Sequence, residues 1–343
     1  MPRKTNAPPR VVRIRDVAEA AAVSTATVSR ALASPERVGE ETRRRVFAAV
    51  AALNYTPNEA ARALRAGATR MVLVEVPHLY SGAFFAAVVN GVDAVLAAAG
   101  YTMLMGSFDG NEDRARRLMD LVYARQFDGV ISLPGRTHTV DRRSILDSGA
   151  PLVSICAVLP GRRSPPAVIL DDEECAIAQT RHLFDLGHRR LLHVAGLAGH
   201  YNAVIRHRGF LKAFEAAGAP ARDALYFQGA YTLQSGAEAG RYFLAIDPAR
   251  RPTGVVCASD EMAIGFIKTV TAAGVRTPRD VSVVGFDGIA FADYCEPSLT
   301  TIRQPCHELG GAGARTLLAL LGGASRAPAK PIVLRGELIV RDS

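Results

Sequence analysis

Residues 14–30, IRDVAEAAAVSTATVSR, decide how this 343-residue chain is read. Ile14, Val17, Ala18 and Ala21 recur at helical spacing. Asp16 stands near the start, where a helix dipole favours a carboxylate. Ala22 and Val23 make a turn. Ser24 is a good N-cap for a second helix, because its hydroxyl can satisfy a free backbone N–H. In that helix Val28, Ala31 and Leu32 face inward, which leaves Thr25, Ala26, Ser29 and Arg30 outside. Short outer side chains let a helix approach the major groove, and an arginine can donate two hydrogen bonds to a guanine edge. A third helix is expected over 40–53, with Val46, Phe47, Val50 and Leu53 as its buried stripe. The pattern reads as a DNA-binding helix-turn-helix. The plainer alternative is a helical hairpin on which Arg30 is a solvated surface charge.

The charge distribution supports the first reading. The net charge is +8. Residues 1–67 hold twelve Lys/Arg and six Asp/Glu, a balance of +6, so the rest of the chain carries only +2. A basic head on a near-neutral body suits a polyanionic partner for the head and another task for the body. The first ten residues contain no apolar run of the secretory type. No apolar run reaches membrane-spanning length. Cys156, Cys175, Cys257, Cys295 and Cys306 show no CxxC or zinc-like grouping, and the eight histidines are scattered. Reduced thiols in a cytoplasmic protein, with no metal and no cofactor, are the expectation.

The segments DVAEAAAVSTATVSRAL, VGEETRRRVFAAVAALNYTPN and AARALR together make the chain similar to the LacI family of bacterial repressors. The resemblance runs on through the body. It implies a DNA-binding domain over 1–67 and an effector-binding and dimerisation body over 68–343. It also implies a hinge over about 58–66 that becomes helical only on DNA. The run NEAARALRA has good helix propensity but is too short to be stable alone. By the same resemblance Leu64 wedges into the minor groove of a central base step, for which CG is the natural guess. Ala61 lies near the groove wall and Arg65 reaches phosphate. The DNA-facing set is then Ser24, Thr25, Ala26, Thr27, Ser29, Arg30, Arg37, Tyr55, Asn58, Ala61, Leu64 and Arg65. The partner is a near-palindromic double-stranded operator bound by a homodimer. Three positions depart from the family pattern. Ala22 replaces a residue tolerant of positive φ, at a cost of roughly 1 kcal/mol if the turn is left-handed. Ala33 and Gly39 replace frequent polar residues. Arg37, Arg43 and Arg44 offer phosphate attraction or are solvated charges.

From residue 71 short apolar runs alternate with amphipathic helices. The runs lie at 71–76, 101–105, 128–133, 151–155, 190–195, 253–258 and 281–285. Helical patterns fall near 83–99, 111–125, 173–186, 206–217, 234–245, 260–273 and 307–321. Such alternation predicts parallel sheets with helices on both faces. There is too much chain for one small sheet, so two α/β lobes are expected, as in periplasmic-binding-protein-like bodies. The crossings between lobes are placed near 167–171, 298–303 and 328–332. This gives one lobe over about 70–168 and 301–329, and another over about 169–300 and 330–343.

Ligands in such folds sit at the C-terminal ends of strands. Phe84 and Phe85 can stack on a ring or close a cleft, with Phe85 better read as core. Arg206 aligns with the family's ligand-anchoring arginine, and Tyr231 with a stacking aromatic. Asp260 caps the following helix or touches ligand, and Ser259 beside it is weaker. Asp287, at a strand end, is the strongest acidic candidate for ligand hydroxyls or an amine. Cys156 stands where many sugar-responsive relatives have Asp. The loop GRTHT over 135–139 resembles one in gluconate-type regulators, so Arg136 and His138 point weakly to a sugar acid over a neutral sugar. Surface loop chemistry explains them equally.

Other functions fit less well. A dinucleotide-dependent enzyme needs GxGxxG between strand and helix. That is absent, as are GxSxG, HExxH and a P-loop, so an enzyme is not expected. A transport binding protein has no use for a basic DNA-reading head and needs export. With no heptad segment after the last strand, a tailed tetramer is not expected.

Overall fold

The computed structural model describes residues 12–56, 68–77, 82–160, 164–323 and 330–343. The chain divides into two compact units, Met1–Thr69 and Arg70–Ser343.

In the first unit α1 (Ile14–Ala20), α2 (Thr25–Ala33) and α3 (Glu40–Ala52) close on one small core. Val17, Ala18, Ala21, Val28, Ala31, Val46 and Ala49 are its buried residues. Asp16 Oδ2 accepts from the backbone N–H of Arg13 at 2.7 Å, which satisfies one free donor at the start of α1. Ser24 caps α2 by accepting from Thr27 N at 3.1 Å. Ala22 takes φ +50°, so the turn is left-handed and the alanine carries that strain. Phe47 was expected inside, but it is 43% exposed. The stripe of α3 instead runs through Val46, Ala49, Val50 and Leu53. Those positions follow i, i+3, i+4 and i+7, whereas Phe47 sits about 100° round the helix from Val46.

The second unit holds two six-stranded sheets. The first lobe's strands are β1 (Met71–Glu75), β2 (Thr102–Gly106), β3 (Gly129–Ser132), β6 (Leu152–Ile155), β7 (Ala167–Leu170) and β13 (Ile332–Leu334). Their order is β13-β7-β6-β3-β1-β2, all parallel. A small hairpin of β4 (Thr139–Val140) and β5 (Arg143–Ser144) stands apart. The second lobe's strands are β8 (Leu191–Ala195), β9 (Ala224–Gln228), β10 (Gly254–Cys257), β11 (Ser282–Asp287), β12 (Thr300–Arg303) and β14 (Glu337–Ile339). Their order is β14-β12-β11-β10-β8-β9, with only β14 antiparallel.

Helices cover both faces of each sheet. On the first, α4 (Ala83–Ala98) and α10 (Cys306–Leu321) pack with Val72, Val74, Ile131 and Val153, while α5 (Glu112–Tyr123) covers Leu73 and Val130. Gly310 lets α10 approach α4 closely, because a Cβ there would strike the Val88 carbonyl. On the second, α6 (Asp172–Asp185) and α7 (Tyr201–Ala216) pack with Leu191, Val256 and Val284. Its other face is covered by α8 (Leu233–Ala245) and α9 (Asp260–Ala272). Strands buried on both faces explain why the sequence shows them as continuous apolar runs.

All three crossings fall later than expected, and β7 keeps Ile169 and Leu170 in the first sheet, past the bound at 168. β12 still belongs to the second sheet, so the chain returns to the first lobe only after Arg303, not at 301. β13 belongs to the first sheet, so the final passage falls between Leu334 and Glu337, not at 328–332. Hydrogen bonding sets these points: a strand goes with the sheet whose edge it pairs. The helix expected to begin at 206 begins at Tyr201. Among the described residues no helix is long and apolar enough to cross a membrane.

Candidate DNA-reading helix and effector cavity

On α2, Thr25, Ala26 and Arg30 are exposed, and Thr27 and Ser29 are half-buried. Ser24 is exposed and is held by its cap bond and by Thr27 Oγ1 at 2.9 Å. The helix therefore turns a short-chained face with one arginine to solvent. Arg37 is exposed beside Glu36, at 3.8 Å. Tyr55 packs partly on the small core. Asn58, Ala61, Leu64 and Arg65 lie outside the described residues, as does the expected hinge.

In the body, a cavity of about 230 Å³ opens where the strand ends of both lobes meet. From the first lobe come Pro77 after β1, Leu133 after β3, Cys156 after β6, and Gly82, Phe84 and Phe85 at the start of α4. From the second come Leu197 after β8, Tyr231 before α8, Ser259 after β10 and Asp287 at the end of β11. The strand order reverses between β1 and β3 in one sheet and between β8 and β10 in the other, and at such switch points parallel α/β sheets leave a crevice. The rings of Phe84 and Phe85 meet edge to face, with centroids 5.0 Å apart. Both line the cavity while packing on the first core, so Phe85 is wall and core at once.

Three lining residues hold left-handed or rarer backbone: Cys156 at φ +68°, Tyr231 at +62° and Asp287 at +128°. Non-glycine residues at such angles cost of order 1–3 kcal/mol each and cluster at functional sites. Tyr231 lies over Gly196, where any Cβ would collide with its ring. Burial pushes the Tyr231 hydroxyl and the Cys156 thiol up, which keeps both protonated at neutral pH.

Arg206 organises the floor. Its Nε donates to Asp172 Oδ1 at 2.7 Å and its Nη1 to the Ala258 carbonyl at 2.7 Å. The guanidinium lies 3.6 Å from the centroid of Phe286 and 3.8 Å from Asp287 Oδ1. Asn202 Nδ2 donates to Asp172 Oδ2 at 3.1 Å and to the Cys156 carbonyl at 2.8 Å, which ties α7 to the first lobe. Gln304 Nε2 donates to Asp287 Oδ1 at 2.8 Å from the chain segment that crosses between lobes.

Two sequence-based candidates sit elsewhere. Asp260 does not line the cavity. It is wholly buried, accepts from Ile289 N at 2.9 Å and from Thr301 Oγ1, and its carboxyl is pushed up to about 6 by burial. It is a structural brace between α9, β12 and the loop after β11. Arg136 pairs with Asp109 on the outer side of its loop and is not among the lining residues. His138 is held between Glu75 Oε1 and Asp109 Oδ1, each at 2.9 Å. The basic side chains of the GRTHT loop are therefore engaged by Asp109 and Glu75. Sequence reading missed Asp172, Asn202 and Glu261. Asp172 and Glu261 stand in the first turns of helices, where acids are expected anyway. Ser259 lines the cavity and also caps α9, accepting from Met262 N at 3.3 Å.

Comparison with known proteins decides the family. Residues 13–58 match the family model described as bacterial regulatory proteins, lacI family, and residues 180–343 match a periplasmic binding protein-like domain. The HTH-type transcriptional repressor CytR of Escherichia coli (strain K12) is 31% identical over 333 residues, covering 94% of this chain and 95% of that protein. The chain belongs to the LacI family of bacterial regulatory proteins. It is a DNA-binding transcriptional regulator with a small-molecule-binding body. Among solved LacI-type structures, the transcriptional regulator CelR–cellobiose complex superposes with TM-score 0.72, 30% identity and coverage of 97% and 99% of the two chains. The Lac repressor dimer bound to operator and the anti-inducer ONPF gives TM-score 0.81, 25% identity and the same coverage.

Proposed function

We propose that this family member is a homodimeric, cytoplasmic repressor without catalytic activity. The exposed face of α2 reads a near-palindromic operator, and a small polar ring bound in the cavity sets operator affinity. One observation carries the reading: a single chain joins an exposed helix-turn-helix face to a cavity formed by the strand ends of two lobes. Repression and operator binding are inferred from the similar transcriptional repressor CytR and from the Lac repressor dimer bound to operator. Leu104 and Met105 on edge strand β2, with Phe291 and Tyr294 in the second lobe, are exposed apolar side chains suited to a second copy. The cellobiose complex makes a sugar-like effector the first choice. A sugar acid has less support, because Arg136 and His138 are paired with Asp109 and Glu75.

Coupling works through lobe closure. A ligand that binds one arrangement more tightly shifts operator affinity by its differential affinity and no more. The test is fluorescence anisotropy of a DNA duplex selected by the protein from a random pool. The full chain binds it and a version lacking residues 1–69 does not, while the truncated body keeps its ligand. DNA binding by the truncated body would overturn the assignment.

A further inference from the structure

We propose that the effector carries a protonated amine on its ring and that Glu261 selects for it. This rests on the effector cavity of the reading above and names the chemistry that fits there. Glu261 and Asp287 line the cavity, and Asp172 stands behind it on Arg206. Against these three acids the described lining offers two basic side chains, Arg206 and His200. Arg206 is already engaged by Asp172, by the Ala258 carbonyl and by the face of Phe286, and it also stands nearest to Asp287.

Glu261 has no such partner: no basic side chain among the described residues forms an ion pair with it. It rises from the first turn of α9 in the second lobe, and its carboxylate lies against the backbone of Gly82 at the start of α4 in the first. A Cβ at position 82 would overlap that carboxylate. The acid therefore lines the cavity where the two lobes approach. Burial pushes the carboxyls of Asp172, Glu261 and Asp287 up, and a cation beside them favours their charged forms. Glu261 is half-buried at the cavity wall, and a cation on the ligand gives its carboxylate a charge-assisted partner. The rest of the cavity suits such a ligand. Phe84, Phe85 and Tyr231 supply aromatic wall for its hydrocarbon, and aromatic rings also attract a cation. The Tyr231 hydroxyl oxygen is buried with no hydrogen-bond partner among the described residues, so it can accept an N–H. An anionic effector would add repulsion to an acidic site. A neutral one would forgo the ion pair with Glu261.

The probes are three matched fragments, benzylamine, benzyl alcohol and phenylacetate, at equal millimolar concentration on the full chain. Thermal shift ranks them, and calorimetric titration gives Kd. Benzylamine is expected to bind about tenfold more tightly than benzyl alcohol, the margin of a charge-assisted over a neutral hydrogen bond. Phenylacetate is expected to give no shift. In Glu261→Gln the amine preference disappears while the smaller alcohol shift remains. The proposal is overturned if phenylacetate or benzyl alcohol matches benzylamine, if the amine preference survives in the Gln variant, or if no fragment shifts the melt. Should the Gln variant fail to melt cooperatively, the wild-type ranking decides alone. DNA binding by the unliganded chain is measured beside it. Intact DNA binding with a failed ranking removes only the amine; lost DNA binding removes the regulator reading itself.

Discussion

Arg206 Nε donates to Asp172 Oδ1 across 2.7 Å, and the two side chains are 5% and 1% exposed. The arginine that sequence resemblance marks as a ligand anchor thus enters the cavity already paired. Breaking one partner of a buried pair strands the other charge, at a cost of about 3–5 kcal/mol. Arg206→Ala is expected to lose that much in urea denaturation, with Asp172→Ala comparable. A loss under about 1 kcal/mol would mean that the pair is solvated and weak.

Arg30 is exposed and takes no part in the head's core. Arg30→Ala is expected to leave folding unchanged and to weaken operator binding by about 1–3 kcal/mol, with relaxed preference at one base position in each half-site. Anisotropy titrations against single-base operator variants check this. A uniform loss across all variants would assign Arg30 to phosphate and not to a base.

His138 bridges Glu75 and Asp109, with Arg136 also on Asp109 and Ser132 Oγ donating to Glu75 at 2.6 Å. The hydrogen bond to Glu75 is the largest cause holding the imidazole's pKa above its ordinary value. A raised folded-state pKa adds stability that is fully present below the unfolded value, roughly 6.5, and is lost as pH rises through the folded value. Melting temperature is therefore expected to fall on the alkaline side of the ordinary histidine range. His138→Gln should flatten that limb of the profile. An identical limb in the variant would place the titration elsewhere.

Ala22 holds φ +50° in the turn between the DNA-reading helices. Glycine removes the Cβ strain but loses more entropy on folding, so Ala22→Gly is expected to stabilise the head by up to about 1 kcal/mol. Hydrogen exchange of α1 and α2 amides in the full chain reads this locally. Faster exchange in the variant would show that the turn carries no strain.

The local elements and their class are legible in the residue pattern of the chain. Helical spacing, a serine cap and a basic balance marked the head, because capping and periodicity act within a few residues. Apolar runs alternating with amphipathic helices marked two parallel α/β lobes, because strands covered on both faces must be apolar throughout. Phe84, Cys156, Arg206, Tyr231, Ser259 and Asp287, all named from the sequence, do meet around one cavity.

Only the tertiary structure decided what each of them faces. Strand β9 and the short β13 and β14 escaped notice because they are edge strands with partly exposed residues, and their apolar stretches are brief. Their sheet membership depends on pairing with segments far away in sequence. Asp260 and Asp287 look alike in sequence, each beside a strand end. The first is buried under Ile289 and Thr301, and the second opens onto the cavity. Arg136 promised a cation for the ligand, but folding set Asp109 against it. Glu261 drew no reading from the sequence, and folding set its carboxylate against Gly82 of the other lobe. A side chain's type is written in the chain, but its partner is fixed by burial and distance, and those exist only once the lobes have packed.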